Sequence, residues 1–466
     1  MTGQRDRLQA MPGGKGDCMR ETNDFSKGSV IKNILKLALP MTLAQLINVL
    51  YNIVDRIYIG MIPEHATLSL TGLGLCLPII SIVIAFANLF GMGGAPLCSI
   101  ERGRGNTSEA ESIMGNAFVM MVAVGILLTV TGLVFRRPML YLFGASDATI
   151  GYADAYITIY LMGNIFVMTG LGMNSFINSQ GFGTVGMMTV LLGAVSNIIL
   201  DPIFIFVFHM GVRGAALATI LSQFLSAAWI IAFLTGKKTI LRLRPSAMKL
   251  EGARILRIVG LGMSGFTMSI TNSSVQIMYN VMLQKFGGDL YVGIMTVLHS
   301  IREVMTLPVF GFTDGARPVL GYDYGAKRFE RVRSGIRFMT VVGIGYTILA
   351  WIVVIISPRL LLSVFTNNRE MLDAGQEALN LYFMGFCFMA FQFCGQSTFV
   401  ALGRSKQAVF FSLLRKAIIV APLTVLLPRL GLGVHGVFLA EPISNVIGGS
   451  SCFIAMYLQV YRRLLH

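Results

Sequence analysis

The sequence predicts an all-α polytopic membrane protein, and three observations predict it. The 466 residues have a mean hydropathy of +0.71 and only 13% of them are charged, too few to cover a soluble fold of this length. Apolar runs follow one another along the chain, each long enough to cross the roughly 20-residue hydrocarbon thickness as a helix. Alternating strands of about ten residues, the mark of a transmembrane barrel, are absent from the sequence.

Twelve spans are expected, at 31–59, 69–98, 112–135, 153–180, 186–208, 213–234, 255–284, 291–319, 334–357, 376–401, 407–428 and 434–460. The net charge of +15 lies in the loops between these runs and reads as the positive-inside bias rather than as a nucleic-acid surface. One side collects Arg102, Arg104, Lys237, Lys238, Arg242, Lys327, Arg328, Arg404 and Arg462, so both termini are expected in the cytoplasm. Residues 1–30 carry Arg5, Arg7, Lys15 and Arg20 without an apolar core, which predicts a cytoplasmic tail rather than a cleaved signal. The six cysteines form no CxxC pair and read as small buried hydrophobes. Gly236-Lys237-Lys238-Thr239 fails the nucleotide-binding loop pattern, and no HExxH occurs, so neither an ATPase site nor an enzyme is indicated.

The longest charged connection lies near the middle and divides the chain into an N-lobe at 31–236, a linker at 237–254 and a C-lobe at 255–466. An internal repeat agrees. Residues 91–118 align with 311–338 at an offset of 220, and residues 181–222 with 403–444 at an offset of 222. In the second block Gly181, Gly211, Gly214 and Ser222 meet identical residues. Six helices per repeat give both lobes one orientation, related by a pseudo-two-fold axis along the membrane normal. Ser108 and Glu111 have the spacing of a capping box at the start of the third span. Pro40, within the first span, is a candidate hinge.

Chemistry concentrates in the stretch 46–60. Gln45, Asn48, Asn52 and Asp55 recur at steps of three and four and so share one helix face. A carboxylate inside a membrane helix is costly and faces protein or a water-filled cavity. In the fifth span Asn197 precedes Asp201 by one turn, and the sixth span supplies Thr219. At about 1.5 Å per residue these groups lie at similar depth, roughly 7–12 Å from one end of their helices. Two carboxylates, an amide and a hydroxyl are hard donors suited to Na⁺, and two neighbouring carboxylates that cannot both ionise cheaply can instead carry a proton. Asn272, Gln276, Gln392 and Gln396 are candidates for a substrate cavity. Glu303, Asp314 and Glu441 are the remaining membrane carboxylates; Glu303 is expected to pair locally with Arg302, and any of the three is open as a second ion or substrate site.

Val54, Asp55 and Gly60, the Asn197/Asp201 pair, Thr219, Pro308-Val-Phe-Gly311 and Arg317-Pro318-Val-Leu-Gly321-Tyr322-Asp-Tyr324-Gly325 resemble the multidrug and toxic compound extrusion (MATE) transporters over about residues 28–460. The resemblance is to the bacterial branch with a cation site in the N-lobe. It implies a V-shaped pair of six-helix lobes in the bacterial inner membrane. It further implies a monomer without cofactor that extrudes toxic organic cations in exchange for H⁺ or Na⁺, with the coupling ion at Asp55, Asn197, Asp201 and Thr219. The chain departs from the family in having no carboxylate in span 7, where it has Asn272, Gln276 and Asn280, in offering Gln392 and Gln396 in span 10, in carrying Asp314 where an amide is expected, and in placing Arg56 beside Asp55. The alternatives are a lipid-linked oligosaccharide flippase of the same superfamily, a major facilitator-type transporter, and a non-transporting receptor. The flippase would need a strongly cationic cavity, whereas most Arg and Lys read as loop residues.

Overall fold

The computed structural model describes residues 25–62, 66–365 and 369–465; most of the expected cytoplasmic tail, with Cys18, lies outside them. Among the described residues the chain is helical. Its helices are α1 (Val30–Gly60), α2 (Ala66–Gly103), α3 (Thr107–Leu142), α4 (Ile150–Met162 and Asn164–Ser179), α5 (Gly183–Pro202, continued by a π-turn Ile203–Val207) and α6 (Val212–Thr235). The second half follows as α7 (252–287), α8 (Leu290–Gly325), α9 (Phe329–Ile356), α10 (Arg369–Ala401), α11 (405–432) and α12 (433–461). Nine of the described helices are long and apolar enough to cross a membrane, or ten when the two segments of α4, bent by 57°, count as one. One of these runs from Ser405 to Tyr461, and Gly431 (φ 96°) and Gly433 (φ 52°) break it into α11 and α12. The last crossing is α7, whose serines, Asn272 and Gln276 dilute its hydropathy; Gly288 (φ 69°) separates it from α8. The twelve crossings form two six-helix lobes.

α1 illustrates why these helices sit where they do. Leu39, Leu43, Leu46, Leu50, Ile53 and Ile57 recur at steps of four and three and are 44–63% exposed, forming a stripe for lipid. Asp55 and Ile59 are buried on the opposite side. Arg56 is exposed and forms no ion pair with Asp55.

The apolar core is divided in a way that sets the shape. One cluster spans both halves at the linker end, joining Phe90, Leu97 and Phe176 to Leu320, Phe399 and Phe411. Towards the other end the core splits. Ile59, Leu73, Tyr156 and Ile205 pack within the first half, and Tyr279, Leu298, Leu379 and Phe438 within the second. The halves are therefore joined at the linker end and separately packed beyond it. Two glycines hold the joint: a Cβ on Gly262 would lie 1.8 Å from the Leu89 carbonyl oxygen, and one on Gly93 2.1 Å from that of Ile258. Only glycine permits backbones this close.

The repeat read from the sequence reappears in the backbone. Gly181 and Gly403 both have positive φ, as do Gly211 and Gly433, each pair 222 residues apart. Gly214 packs against the backbone of Phe204, and Gly436 against that of Leu427, each at 2.7 Å from where a Cβ would stand.

The charged connection is clamped rather than loose. Gln180 Oε1 accepts from Thr239 Oγ1 (2.8 Å), Ile240 N (2.9 Å) and Leu241 N (2.7 Å). Asn116 bonds to Lys249 O and Glu251 N, and Arg254 forms a two-pronged bridge to Glu109. The capping-box expectation fails for the same reason. Asn106 caps α3 through Glu109 N, while Glu111 accepts instead from Arg242 N in the linker. Gln180→Ala removes three acceptor contacts from buried donors; amide exchange at Ile240 and Leu241 is expected to accelerate roughly tenfold or more, about 1.4 kcal/mol or above, readable by hydrogen–deuterium exchange.

Candidate ion and substrate sites

Asp55 from α1 and Asp201 from α5 meet inside the first half, where their carboxyl groups are within hydrogen-bond reach of each other. Asp55 is buried and Asp201 and Asn197 fully so. Asp201 ends the regular part of α5. Pro202 lacks an N–H and the next residues widen into the π-turn, a distortion that frees backbone groups beside the site. In the orientation that satisfies both ends of its amide, Asn197 donates from Nδ2 to Asp201 Oδ2 at 2.8 Å and accepts from Thr219 N at 3.3 Å. Asp55 Oδ1 is buried without a hydrogen-bond partner. The structure thus brings Asp55, Asn197, Asp201 and Thr219 together. Two touching carboxylates in a low-dielectric interior repel unless a proton or a cation lies between them; the donor set of carboxylate, amide and hydroxyl oxygens accepts either.

Three tyrosines surround the group that sequence reasoning passed over. Tyr51 and Tyr156 stand beside Thr219, and Tyr160 stacks on Tyr156 with ring centroids 6.3 Å apart. Tyr156 and Tyr160 stand one turn apart on α4, a spacing that ordinary core aromatics share.

Three cavities follow the seam. The first-half cavity, about 210 Å³, is lined by Gln45, Asn48, Tyr51, Asn174, Ser226 and Asp314. A central one of about 240 Å³ shares Gln45 and Asp314 and adds Asn272, Arg317 and Gln396. The second-half cavity, about 410 Å³, takes Asn272 and Gln276 on one wall. Asp314 pairs with Arg317 at 2.9 Å. Two of the predicted cavity residues stand elsewhere. Asn52 is exposed and donates to the Asn48 carbonyl oxygen at 2.8 Å. Gln392 is buried and donates its amide to Gln396 one turn on and to the Phe411 carbonyl oxygen, the second bond tying α10 to α11.

The Arg302–Glu303 pairing is corrected as well. Arg302 engages Glu441 and donates to Tyr382, leaving Glu303 exposed on the second-half cavity wall. Nor are all the cations in loops: Arg415 and Lys416 on α11 are buried beside Glu441. Their place inside the expected span 407–428 was the signal that loop counting missed.

The profile of the family described as MatE matches residues 40–203 and 264–426, and these ranges hold most of both lobes. This chain belongs to the MatE family. It is 23% identical to the multidrug export protein MepA of Staphylococcus saprophyticus over 439 residues, covering 94% of this chain and 95% of the relative. Against MepA of Staphylococcus aureus strain MSSA476 the identity is 24%, with the same coverage. The fold superposes on a solved MATE structure in the bent conformation with a TM-score of 0.89 at 20% identity, covering 97% and 99% of the two chains. It superposes equally well on an outward-facing multidrug resistance MATE transporter, with a TM-score of 0.88 at 20% identity over 98% and 100%. The MatE chain is therefore a membrane protein of twelve helices in the two-lobed arrangement that the sequence predicted.

Proposed function

We propose that this protein is a secondary active antiporter of the bacterial plasma membrane. It exports organic, mainly cationic and lipophilic compounds in exchange for H⁺ or Na⁺ bound at Asp55, Asn197, Asp201 and Thr219. Residues 31–236 and 255–466 act as its two moving lobes. The observation that carries the reading is Tyr51, which lines the first-half cavity and stands beside Thr219 of the ion group. Ion binding and cavity shape are thus joined through one side chain on α1. The family, and relatives named for multidrug export, support the substrate class. The lysine- and arginine-rich linker end faces the cytoplasm by the positive-inside rule, so the separately packed ends open outward.

The cycle follows from these contacts. Protonation, or a Na⁺ ion, relieves the repulsion between Asp55 and Asp201 and lets α1 and α5 close on each other. Tyr51 shifts with α1, the helix rearranging near Pro40, whose ring removes one backbone bond of the turn. The cavity then holds substrate less well and releases it. Exchange requires that ion and substrate prefer different lobe arrangements.

Ethidium efflux from proteoliposomes under an imposed pH gradient or Na⁺ gradient tests this. Efflux driven by one gradient is the expected result and names the ion; folded protein that moves no dye under either gradient overturns the proposal. Tyr51→Phe keeps the ring and removes the hydroxyl beside Thr219. It is expected to lower gradient-driven efflux several-fold, more than it weakens dye binding, on the order of one polar contact's net worth.

A further inference from the structure

The second-half cavity is built for the opposite charge. Arg302, Arg415 and Lys416 all line it. They converge on Glu441, the one carboxylate of that buried cluster. Lys416 Nζ lies 3.1 Å from each Glu441 oxygen, Arg415 lies 3.5 Å from Oε1, and Arg302 also contacts Oε1. Tyr279 donates to Oε2 at 2.8 Å. Glu441 is therefore saturated with donors while the guanidinium groups keep N–H groups to spare. Glu303, exposed on the same wall, leaves the lining net positive. His299 Nε2, also on this wall, is buried with no hydrogen-bond partner. A cluster that served packing alone gains nothing from excess buried positive charge, because each unmatched ion costs several kcal/mol.

The internal repeat gives this cluster its meaning. At the offset of 222, Thr219 of the ion group corresponds to Glu441, and Gly193 and Ala194, which line the first-half cavity, correspond to Arg415 and Lys416. Equivalent positions thus border a cavity in each half, small and neutral in the first and cationic in the second. Beside the polar Asn272, Gln276, Thr296 and Ser300, the lining has an apolar patch: Phe310 and Phe393, with ring centroids 4.4 Å apart, and Met268.

We propose that the second-half cavity binds the oxyanion of an amphiphile, a carboxylate or phosphate attached to an aromatic or lipophilic body. Arg302, Arg415, Lys416 and His299 supply the donors, and Phe310 and Phe393 hold the body. The transporter accordingly takes zwitterionic or anionic amphiphiles as well as cations. The inference extends the transport reading without depending on its coupling ion, so its test is a binding measurement.

Tetramethylrhodamine, which bears a free carboxylate, and its methyl ester, which does not, share one aromatic body. Their affinities are compared by fluorescence polarisation on purified protein in phosphatidylcholine nanodiscs. The free acid is expected to bind about tenfold more tightly than the ester, the worth of a charge-assisted hydrogen bond. Lys416→Met brings the ratio towards one, Lys416→Arg restores it, and His299→Phe lowers it several-fold. Glu441→Gln frees the cations and raises the ratio, with a larger dye-induced rise in Tm; a purely structural cluster predicts no rise. Loss of the acid's binding in phosphatidylglycerol nanodiscs identifies the occupant as an anionic lipid headgroup, which also supports the site. Equal binding of acid and ester to the wild-type protein in phosphatidylcholine overturns the proposal, whether or not the variants fold. So does a ratio that neither Lys416→Met nor Glu441→Gln changes.

Discussion

Asp201→Asn is expected to cut gradient-driven efflux severely while leaving dye binding intact. The amide replaces the carboxylate almost without change of volume, so the packing of α5 survives. What it removes is the competition between two touching carboxylates, since Asp55 alone no longer needs a shared proton or cation to stay buried beside its neighbour. The ion then has little to distinguish one lobe arrangement from the other. A coupling free energy of about 1–3 kcal/mol, the usual size, corresponds to a loss of roughly five- to 150-fold in driven efflux. Asp201 borders none of the three cavities described, so equilibrium binding of ethidium to the purified variant is expected to match the wild type within about twofold, the ordinary scatter of distant substitutions. Efflux against a gradient that persists in folded Asp201→Asn protein sinks the assignment of the coupling site. Unchanged efflux in Asp55→Asn would do the same for its partner.

Gly262→Ala is the second change with a large expected effect. Its new Cβ would stand 1.8 Å from the Leu89 carbonyl oxygen, and that atom is backbone of α2, which cannot rotate away as a side-chain tip can. The clash falls between the halves, not within either, so each half keeps its own core. The cost is charged to the closed joint at the linker end. Overpacking of about 1–3 kcal/mol shifts the balance of lobe arrangements by roughly five- to 150-fold against the present one. The measurement is maleimide labelling of Ile258→Cys, buried at the joint, in protein whose native cysteines have been replaced. Labelling is expected to accelerate in the double variant and transport to fall. Unchanged labelling would mean that the joint yields locally and that Gly262 does not control closure.

Much of this was legible in the chain. Twelve crossings, the two-lobed division and the carboxylates on α1 and α5 follow from hydropathy, helical spacing and a repeat, because a bilayer tolerates so few alternatives for apolar helices and buried charge. The repeat even carried its backbone signature, since the glycines at 211 and 433 stand where only positive φ turns α5 into α6 and α11 into α12. Three things were not legible. Tyr51, Tyr156 and Tyr160 look like ordinary aromatic core residues until four helices are folded around Thr219. Glu111 has the spacing of a helix cap, yet a linker 131 residues away claims its carboxylate. Arg302 has a glutamate as its sequence neighbour and pairs instead with Glu441, because adjacent residues on a helix point about 100° apart while α8 and α12 face each other. The sequence determined which groups enter the membrane and at what depth. The tertiary structure alone decided their partners and the sign of each cavity, since charges on different helices meet only when the lobes pack.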